Sequence, residues 1–215
     1  MPRIAIVDYG VGNLRSVERA LARAGAEAVI TPDPRVVAGS DGVVLPGVGA
    51  FAPAAALLLG SGLGDAVREA ARRGRPILGV CLGFQLLFES SEEGEGGTGL
   101  GLLPGRVRRI AAAPPLKVPH MGWNSLRLRR PAVLTQGVED GTRCYFVHSY
   151  AADADPADVV ATVDYGGEIV AICERGVVTG TQFHPEKSGP AGLRIYANLV
   201  AASVGERRPA APSLP

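Results

Sequence analysis

Three residues in two short segments could form a nucleophile with its base. Cys81 lies in Gly-Val-Cys-Leu-Gly, directly after the apolar run that follows Pro76. The pattern Gly-x-nucleophile-x-Gly is typical of a sharp strand-to-helix turn that raises a nucleophile above a sheet. A thiol at the first turn of a helix also gains thiolate character from the helix dipole. We interpret Cys81 as a nucleophile, with a buried structural thiol as the alternative, and Cys144 and Cys173 as packing residues of strands.

A cysteine nucleophile needs a base and a group that orients the base. Of the three histidines, His184 follows the apolar run 177–183, so it should reach the same sheet edge as Cys81, and His148 is interpreted as structural. Pro185 favours an extended backbone at His184, and residues two apart in an extended segment face the same side, which lets Glu186 reach the imidazole. Cys81, His184 and Glu186 are expected to form a catalytic triad; the alternative is an exposed His-Pro-Glu turn.

Acyl transfer also requires N–H donors for the oxyanion that forms during the attack. The backbone N–H of Leu82, the residue after the nucleophile, is the first expected donor. The segment Pro46-Gly47-Val48-Gly49 follows another apolar run and predicts a turn that exposes the N–H of Val48 or of a neighbour. An ordinary turn between a strand and a helix is the alternative for this segment.

These residues must be positioned by a sheet. Apolar runs alternate with helical patterns through the first half of the chain, which predicts an α/β fold with a doubly wound, mostly parallel central sheet and helices on both faces. After about residue 94, short β-prone runs predict additional strands on the same sheet, some of them antiparallel. A last helix closes a domain predicted to span residues 1–204, and residues 205–215 are predicted to form a disordered tail.

Composition limits the function classes. A chain of 215 residues with 47% hydrophobic residues can bury a core, and its net charge of +1 provides no basic surface for nucleic acid or for an anionic membrane. Three widely spaced cysteines do not form a disulfide framework, which indicates the cytoplasm. No targeting segment, metal-ligand spacing or cofactor motif is evident. Residues 8–15 resemble a dinucleotide-binding turn, but Arg15 replaces its third glycine.

The motifs together resemble a known family. "PGVGAF", "GVCLGFQLL" and "TQFHPEKS" are similar to the class I, or triad, glutamine amidotransferases. "DYGVGNLRSV", "KVPHMGWN" and "YFVHSYA" narrow the resemblance to the family of glutaminase subunits of imidazole glycerol phosphate synthase, in histidine biosynthesis. The resemblance extends from Ile4 to about Val200.

The resemblance implies a reaction and a set of site residues. Cys81 would attack the side-chain amide of glutamine, His184 would protonate the departing ammonia, and water would hydrolyse the thioester to glutamate. It also implies glutamine contacts, oxyanion neighbours and partner-facing positions; these are Gly49, Gln85, Ser149 and Tyr150 for glutamine, Leu82, Val48 and Gly47 for the oxyanion, and Asn13, Trp123, Tyr145 and Lys187 for the partner.

Ammonia itself indicates a partner. Free ammonia becomes protonated in neutral water and loses its nucleophilicity, so an acceptor site must be joined to the glutaminase by a shielded path. The resemblance implies a (β/α)₈-barrel cyclase in a heterodimer. Gly47 and Gly49 would let a peptide unit at Val48 rotate its N–H into or away from the oxyanion site, so we expect the loaded partner to activate the glutaminase through this loop. A stand-alone γ-glutamyl hydrolase or a cysteine peptidase would use the same triad and stays open as the alternative, and a catalytically inactive subunit is disfavoured because the triad residue types are all present.

Overall fold

The computed structural model describes residues 1–111 and 114–205. The predicted tail therefore lies, beyond Gly205, outside the described residues. The strands are β1 (Arg3–Val7), β2 (Glu27–Thr31), β3 (Gly42–Leu45), β4 (Ile77–Val80), β5 (Ser90–Ser91), β6 (Gly97–Thr98), β7 (Gly105–Arg109), β8 (His120–Ser125), β9 (Arg127–Leu128), β10 (Arg143–His148), β11 (Tyr150–Ala154), β12 (Val159–Asp164), β13 (Glu168–Arg175) and β14 (Val178–Thr181). The helices are α1 (Leu14–Arg23), α2 (Pro34–Gly39), α3 (Phe51–Gly60), α4 (Leu63–Arg72), α5 (Leu82–Gln85) and α6 (Gly189–Val204), with a 3₁₀ turn at Pro185–Lys187.

The largest sheet has eight strands in the order β2-β1-β3-β4-β14-β13-β12-β9. The first five strands in this order, β2, β1, β3, β4 and β14, are parallel. The remaining three, β13, β12 and β9, extend the sheet with antiparallel pairs. The α/β class, the mostly parallel sheet and the additional strands of the second half are confirmed. Parallel strands bring their carboxyl ends to one edge, which is where an open α/β sheet holds its ligand.

Side chains of the parallel strands alternate between two hydrophobic cores. In β1, Ile4 and Ile6 enter one core, which is covered by α1 and α6, while Ala5 and Val7 enter the other, which is covered by α2, α3 and α4. All four side chains are fully buried. Burial on both faces explains why these strands appear in the sequence as continuous apolar runs.

Part of the expectation for the second half is wrong. Strands β7 and β10 were expected in the main sheet, but β7 lies in a four-stranded sheet of order β11-β7-β5-β6, and β10 pairs with β8 alone. The physical reason is that β7 is covered on one face only: Val107 is buried, while Arg106 and Arg108 are exposed. A short strand pattern contains no information about which sheet it joins.

The helix after Cys81 is also shorter than expected. It spans only Leu82–Gln85, one turn, so the helix dipole at Cys81 is smaller than that of the longer helix expected from the sequence. The apolar segment 57–71 is divided into two helices at Gly62, whose φ of 74° lies in the left-handed region that favours glycine.

Candidate active site

Four strand ends converge at one edge of the main sheet. Strands β1, β3, β4 and β14 are neighbours, and the segments that follow them contain, respectively, Tyr9, the Pro46–Gly49 loop, Cys81 and His184. Residues far apart in the sequence are therefore brought together by the parallel register of the sheet. The edge predicted to hold the triad is the edge where the structure places Cys81 and His184.

Cys81 occupies a strained turn. Its φ of 54° and ψ of −110° make it the one non-glycine residue with positive φ among the described residues. Such a conformation costs on the order of 1–3 kcal/mol and persists only where the surrounding structure holds it. Here the Cys81 N–H donates to the Thr181 carbonyl at 2.8 Å, and the Cys81 carbonyl accepts from the Gln85 N–H at 3.1 Å. The turn connects β4 to α5 directly and presents the thiol to the cleft.

The two glycines around Cys81 are required by space. A Cβ at Gly83 would collide with the Leu45 carbonyl oxygen at the end of β3, and a Cβ at Gly79 would lie 2.7 Å from the Phe84 Cα. The turn therefore packs backbone against backbone on both sides of the nucleophile position. This is the physical basis of the Gly-x-Cys-x-Gly pattern.

His184 and Glu186 form a buried pair. The His184 Nδ1 lies 2.8 Å from the Glu186 Oε1, and the two side chains are 3% and 1% exposed. The expected geometry was wrong in one respect: His184 is extended, but Glu186 lies in the 3₁₀ turn Pro185–Lys187, not in a continued strand. The tight turn brings the carboxylate back to the ring over two residues.

The ionisation of His184 follows from its neighbours. Burial, the largest single influence, lowers its pKa, but the combined hydrogen bonding and negative charges of Cys81 and Glu186 outweigh burial and raise the pKa to about 9. An imidazole in this environment stays protonated at neutral pH. The arrangement therefore favours an imidazolium beside the cysteine, which is the proton donor that a departing amine requires.

The Pro46–Gly49 loop is fixed by a hydrogen bond from a buried tyrosine. The Tyr9 hydroxyl donates to the Pro46 carbonyl at 2.7 Å, and burial, with the charge of Cys81 as a smaller cause, raises the pKa of Tyr9. A Cβ at Gly47 would lie 2.6 Å from that hydroxyl, so Gly47 is required by space. Gly49 has a φ of 98°, while Val48 is exposed at the cleft. Tyr9 was not among the residues predicted from the sequence.

A cleft of about 330 Å³ connects these elements. It is lined by eight residues that were predicted to be catalytic, oxyanion or glutamine-binding residues, together with Glu93, Pro119, Val147 and His148. Two further predicted residues do not line it: Glu186 is buried against His184, and Gly47 is buried within the Pro46–Gly49 loop. The eight are Val48, Gly49, Cys81, Leu82, Gln85, Ser149, Tyr150 and His184.

Gln85 and Gln182 form a polar floor beside the thiol. The Gln85 Nε2 donates to the Tyr150 carbonyl at 2.9 Å and to the Gln182 Oε1 at 3.0 Å, and the Gln182 Nε2 lies 3.8 Å from the Cys81 sulfur. Both amides are nearly fully buried. Gln182 was not among the predicted site residues, although it precedes His184 by two residues and strand alternation places both on one face.

The other two histidines form a different pair. The His148 Nδ1 lies 2.8 Å from the Tyr150 carbonyl, which can only accept, so this nitrogen bears the proton. The His148 Nε2 must then accept from the His120 Nδ1 at 2.9 Å, and the His120 Nε2 accepts from the Asn124 Nδ2 at 3.2 Å. Burial lowers the pKa of both rings to about 4. The two rings form a neutral hydrogen-bonded chain.

Three of the four predicted partner-facing residues form one surface cluster. The rings of Trp123 and Tyr145 lie 6.1 Å apart, and the Lys187 Nζ lies 5.8 Å from the centre of the Tyr145 ring. Trp123 is half exposed, and its neighbour Met121 on the same strand face is 62% exposed. Asn13 lies at the start of α1, where its carbonyl accepts two helix N–H groups.

Comparison with known proteins gives the family. Residues 5–202 match glutamine amidotransferase class-I. The chain belongs to the class-I glutamine amidotransferases. This confirms the resemblance drawn from the motifs, and a dinucleotide-binding role for residues 8–15 has no support from it.

Curated relatives narrow the comparison. The chain is 50% identical to the "Imidazole glycerol phosphate synthase subunit HisH" of Synechococcus sp. (strain JA-3-3Ab), over 97% of both chains. It is 52% identical to the protein of the same name from Moorella thermoacetica, over 93% of this chain and 94% of the relative. Resemblance to the glutaminase subunits of this synthase is thereby confirmed.

Solved structures support the fold alone. A structure described as a glutamine amidotransferase has a TM-score of 0.74 at 19% identity and covers 93% of this chain and 98% of that chain. A putative GMP synthase component from Thermoplasma acidophilum has a TM-score of 0.71 at 22% identity, over 94% of both chains. Within residues 1–111 and 114–205, no helix combines the length and apolar character needed to cross a bilayer.

Proposed function

We propose that Cys81, His184 and Glu186 hydrolyse the side-chain amide of glutamine and that the chain delivers the ammonia to a (β/α)₈-barrel cyclase in histidine biosynthesis. The observation that carries the proposal is the strained Cys81 turn, which opens into the same cleft as an imidazole bonded to a buried carboxylate. Strain at a single non-glycine residue is typical of a functional site. A stand-alone γ-glutamyl hydrolase is not favoured, because the relatives at about half identity are named as subunits of a synthase.

Each proton transfer of the first half-reaction is reversed in the second, so the enzyme returns to its starting state. The Cys81 thiolate attacks the amide carbon, and the His184 imidazolium donates its proton to the nitrogen as the C–N bond breaks and ammonia leaves. The neutral imidazole then takes a proton from water as the oxygen attacks the thioester, and the C–S bond breaks to return the thiolate and the imidazolium. Glu186 holds Nδ1 throughout and stabilises the imidazolium without accepting a proton.

Negative charge on the former amide oxygen needs N–H donors. Leu82 follows the nucleophile at the start of α5, Val48 lies in the loop bonded to Tyr9, and both residues line the cleft. We assign these two backbone groups to the oxyanion, with Gly47 as the residue that lets the loop approach α5. One such donor contributes about 10²–10³ in turnover.

Glutamine contacts are assigned to residues around the rest of the cleft. Gly49, Gln85, Ser149 and Tyr150 line the same cleft as Cys81 and His184. The Gln85 amide is fixed by its hydrogen bonds to the Tyr150 carbonyl and to Gln182, so it forms a rigid polar wall of the cleft. A rigid polar wall discriminates substrates by leaving a buried group unpaired when the wrong one binds.

The surface cluster of Trp123, Tyr145 and Lys187 is connected to the triad by hydrogen bonds of the backbone and of one serine. The Tyr145 carbonyl accepts from the His184 N–H at 3.0 Å, and the Tyr145 N–H donates to the Ser188 hydroxyl at 3.0 Å, which donates to the His184 carbonyl at 2.7 Å. A cyclase that contacts Trp123, Tyr145 and Lys187 would therefore contact the segment whose backbone positions His184. We place Asn13 at the same interface and the complex in the cytoplasm, where three unpaired cysteines are stable.

The test is glutamate release at saturating glutamine. Three samples are compared: the free chain, the chain with the barrel cyclase, and the complex with the cyclase's nucleotide ligand. The proposal predicts a nearly inactive free chain and a large activation in the loaded complex. A free chain as fast as the loaded complex would favour the stand-alone hydrolase, and hydrolysis of γ-glutamyl peptides without the cyclase would do the same.

A further inference from the structure

Two buried polar atoms without a hydrogen-bond partner lie on neighbouring elements of the interior. Among the described residues, three buried side-chain atoms have no hydrogen-bond partner in the protein: the Glu186 Oε2, the Tyr196 Oη and the Arg130 Nε. Buried polar groups are nearly always paired, so each exception needs an explanation. Glu186 supplies an acceptor and Tyr196 a donor, and Glu186 is the carboxylate of the proposed triad.

Helix α6 packs directly on the turn that contains Glu186. A Cβ at Gly192 would collide with the Pro185 carbonyl oxygen, so the helix backbone lies against the turn at this point. The Gly192 N–H also donates to the Ser188 carbonyl, which ends the same turn. The absence of a side chain at Gly192 is what allows this approach.

Tyr196 lies one helical turn after Gly192. Residues four apart share a helix face, and long helical side chains lean back toward the N-terminus of their helix. Tyr196 therefore lies on the same face of α6 as Gly192, the face that packs against the turn Pro185–Lys187. The two unpaired atoms therefore belong to elements that pack against each other.

Burial and charge fix the protonation of this hydroxyl. Tyr196 is fully buried, and the Glu186 side chain is 1% exposed. Burial first, and the negative charge of Glu186 second, raise the pKa of Tyr196 well above its usual range. The phenol therefore stays protonated and can donate one hydrogen bond, while a carboxylate can only accept.

We propose that Tyr196 is a positioning residue for the triad: its hydroxyl donates to the Glu186 Oε2 through one enclosed water, and so fixes the carboxylate that orients His184. The proposal rests on the proposed role of Glu186. A carboxylate held at one oxygen rotates about its last bond, whereas one held at both oxygens keeps Oε1 on the His184 Nδ1. The alternative is that Tyr196 only packs in the core formed by α1 and α6.

The first test is the unfolding equilibrium of the free chain, which needs no activity. Tyr196→Phe keeps the ring and removes only the hydroxyl, and Glu186→Gln removes the charge of the acceptor. The proposal predicts that Tyr196→Phe increases the unfolding equilibrium constant about tenfold or more in the parent, because hydrogen bonds to charged groups are strong, and clearly less in the Glu186→Gln background. Removal of an unpaired hydroxyl would instead leave stability unchanged or increased in both backgrounds, which would overturn the proposal.

The second test is the pH profile of the loaded synthase complex. Loss of a donor to a buried carboxylate favours its neutral form, so Tyr196→Phe should lower kcat about tenfold, leave KM for glutamine unchanged and move the acid limb of kcat/KM to higher pH. The matched control is Tyr165→Phe, which loses a hydroxyl bonded to the Lys117 carbonyl and should not move the profile.

The outcomes separate the two proposals. A normal profile for Tyr196→Phe, with Cys81→Ala inactive, would overturn the role of Tyr196 and retain the triad. Activity in Cys81→Ala would overturn the proposed function itself. A fall in kcat with no movement of the acid limb would indicate a packing role and would also overturn the positioning role.

Discussion

The cleft contains two histidine environments with opposite electrostatics. His184 and His148 both line it, and both are buried. His184 faces a buried carboxylate and a thiol, and its pKa is raised to about 9; His148 faces a carbonyl and His120, and burial lowers its pKa to about 4. The comparison teaches that burial alone keeps an imidazole neutral and that an anionic partner reverses this effect.

The difference also separates the histidine proposed for catalysis, His184, from the structural pair His120 and His148. The chain from Asn124 through His120 and His148 to the Tyr150 carbonyl uses each ring once as donor and once as acceptor. A further proton would place two N–H groups against each other, so the pair cannot act as an acid at neutral pH. His184 is the histidine in this cleft with a proton to give.

The largest expected effect is on turnover. His184→Ala should reduce glutamine hydrolysis in the loaded complex almost as far as Cys81→Ala, by roughly 10⁴–10⁶, because members of a triad act as a unit. His120→Asn should cost less than about tenfold, since it removes no group that faces the reacting atoms. Both are measured as glutamate release on variants whose folding is verified by circular dichroism. Similar losses for the two would contradict the division between the two regions.

A smaller loss is expected for the carboxylate. Glu186→Gln should retain roughly 10²-fold more activity than His184→Ala, because Glu186 orients and stabilises the ring without transferring the proton. The same variant should lower the pKa of His184, since Glu186 is one of its two raising partners. Histidine-selective NMR titration measures this shift. A larger loss than for His184→Ala would reverse the assigned roles.

The smallest effect is on stability as a function of pH. The raised pKa of His184 contributes stability that is complete below about 6.5 and is lost as the pH rises through about 9. The lowered pKa values of His120 and His148 act at the other end: their contribution is present above about 6.5 and is lost as the pH falls toward 4. Denaturant unfolding from pH 4 to 10 should show both slopes, and His184→Asn should remove only the alkaline one.

Much of this site could be predicted from the sequence. Continuous apolar runs predicted the parallel strands, and the ends of β4 and β14 placed Cys81 and His184 at one edge. The glycines at 79 and 83 predicted a turn that the structure explains by backbone contact. These features are local, so their residues lie within a few positions of the feature that they determine.

Other features depend on distant pairing. The main sheet does not include β7 or β10, and the contact between His120 and His148 arises from the register of β8 with β10, across 28 positions. Tyr196 has the helical spacing of any core residue, so nothing near it in the sequence indicates a carboxylate neighbour. Gln182 alone could have been found, by the two-residue alternation that ends at His184.

The most direct measurement is the site of labelling by a glutamine-mimicking electrophile such as a diazo-ketone analogue. Burial raises the pKa of Cys144 and of Cys173 to about 12, and both thiols are at most 1% exposed, whereas Cys81 is 7% exposed and opens into the cleft. Peptide mapping of the labelled complex by mass spectrometry should find the adduct on Cys81 alone, with slower labelling in His184→Ala. An adduct centred on Cys144 or Cys173 would contradict the account.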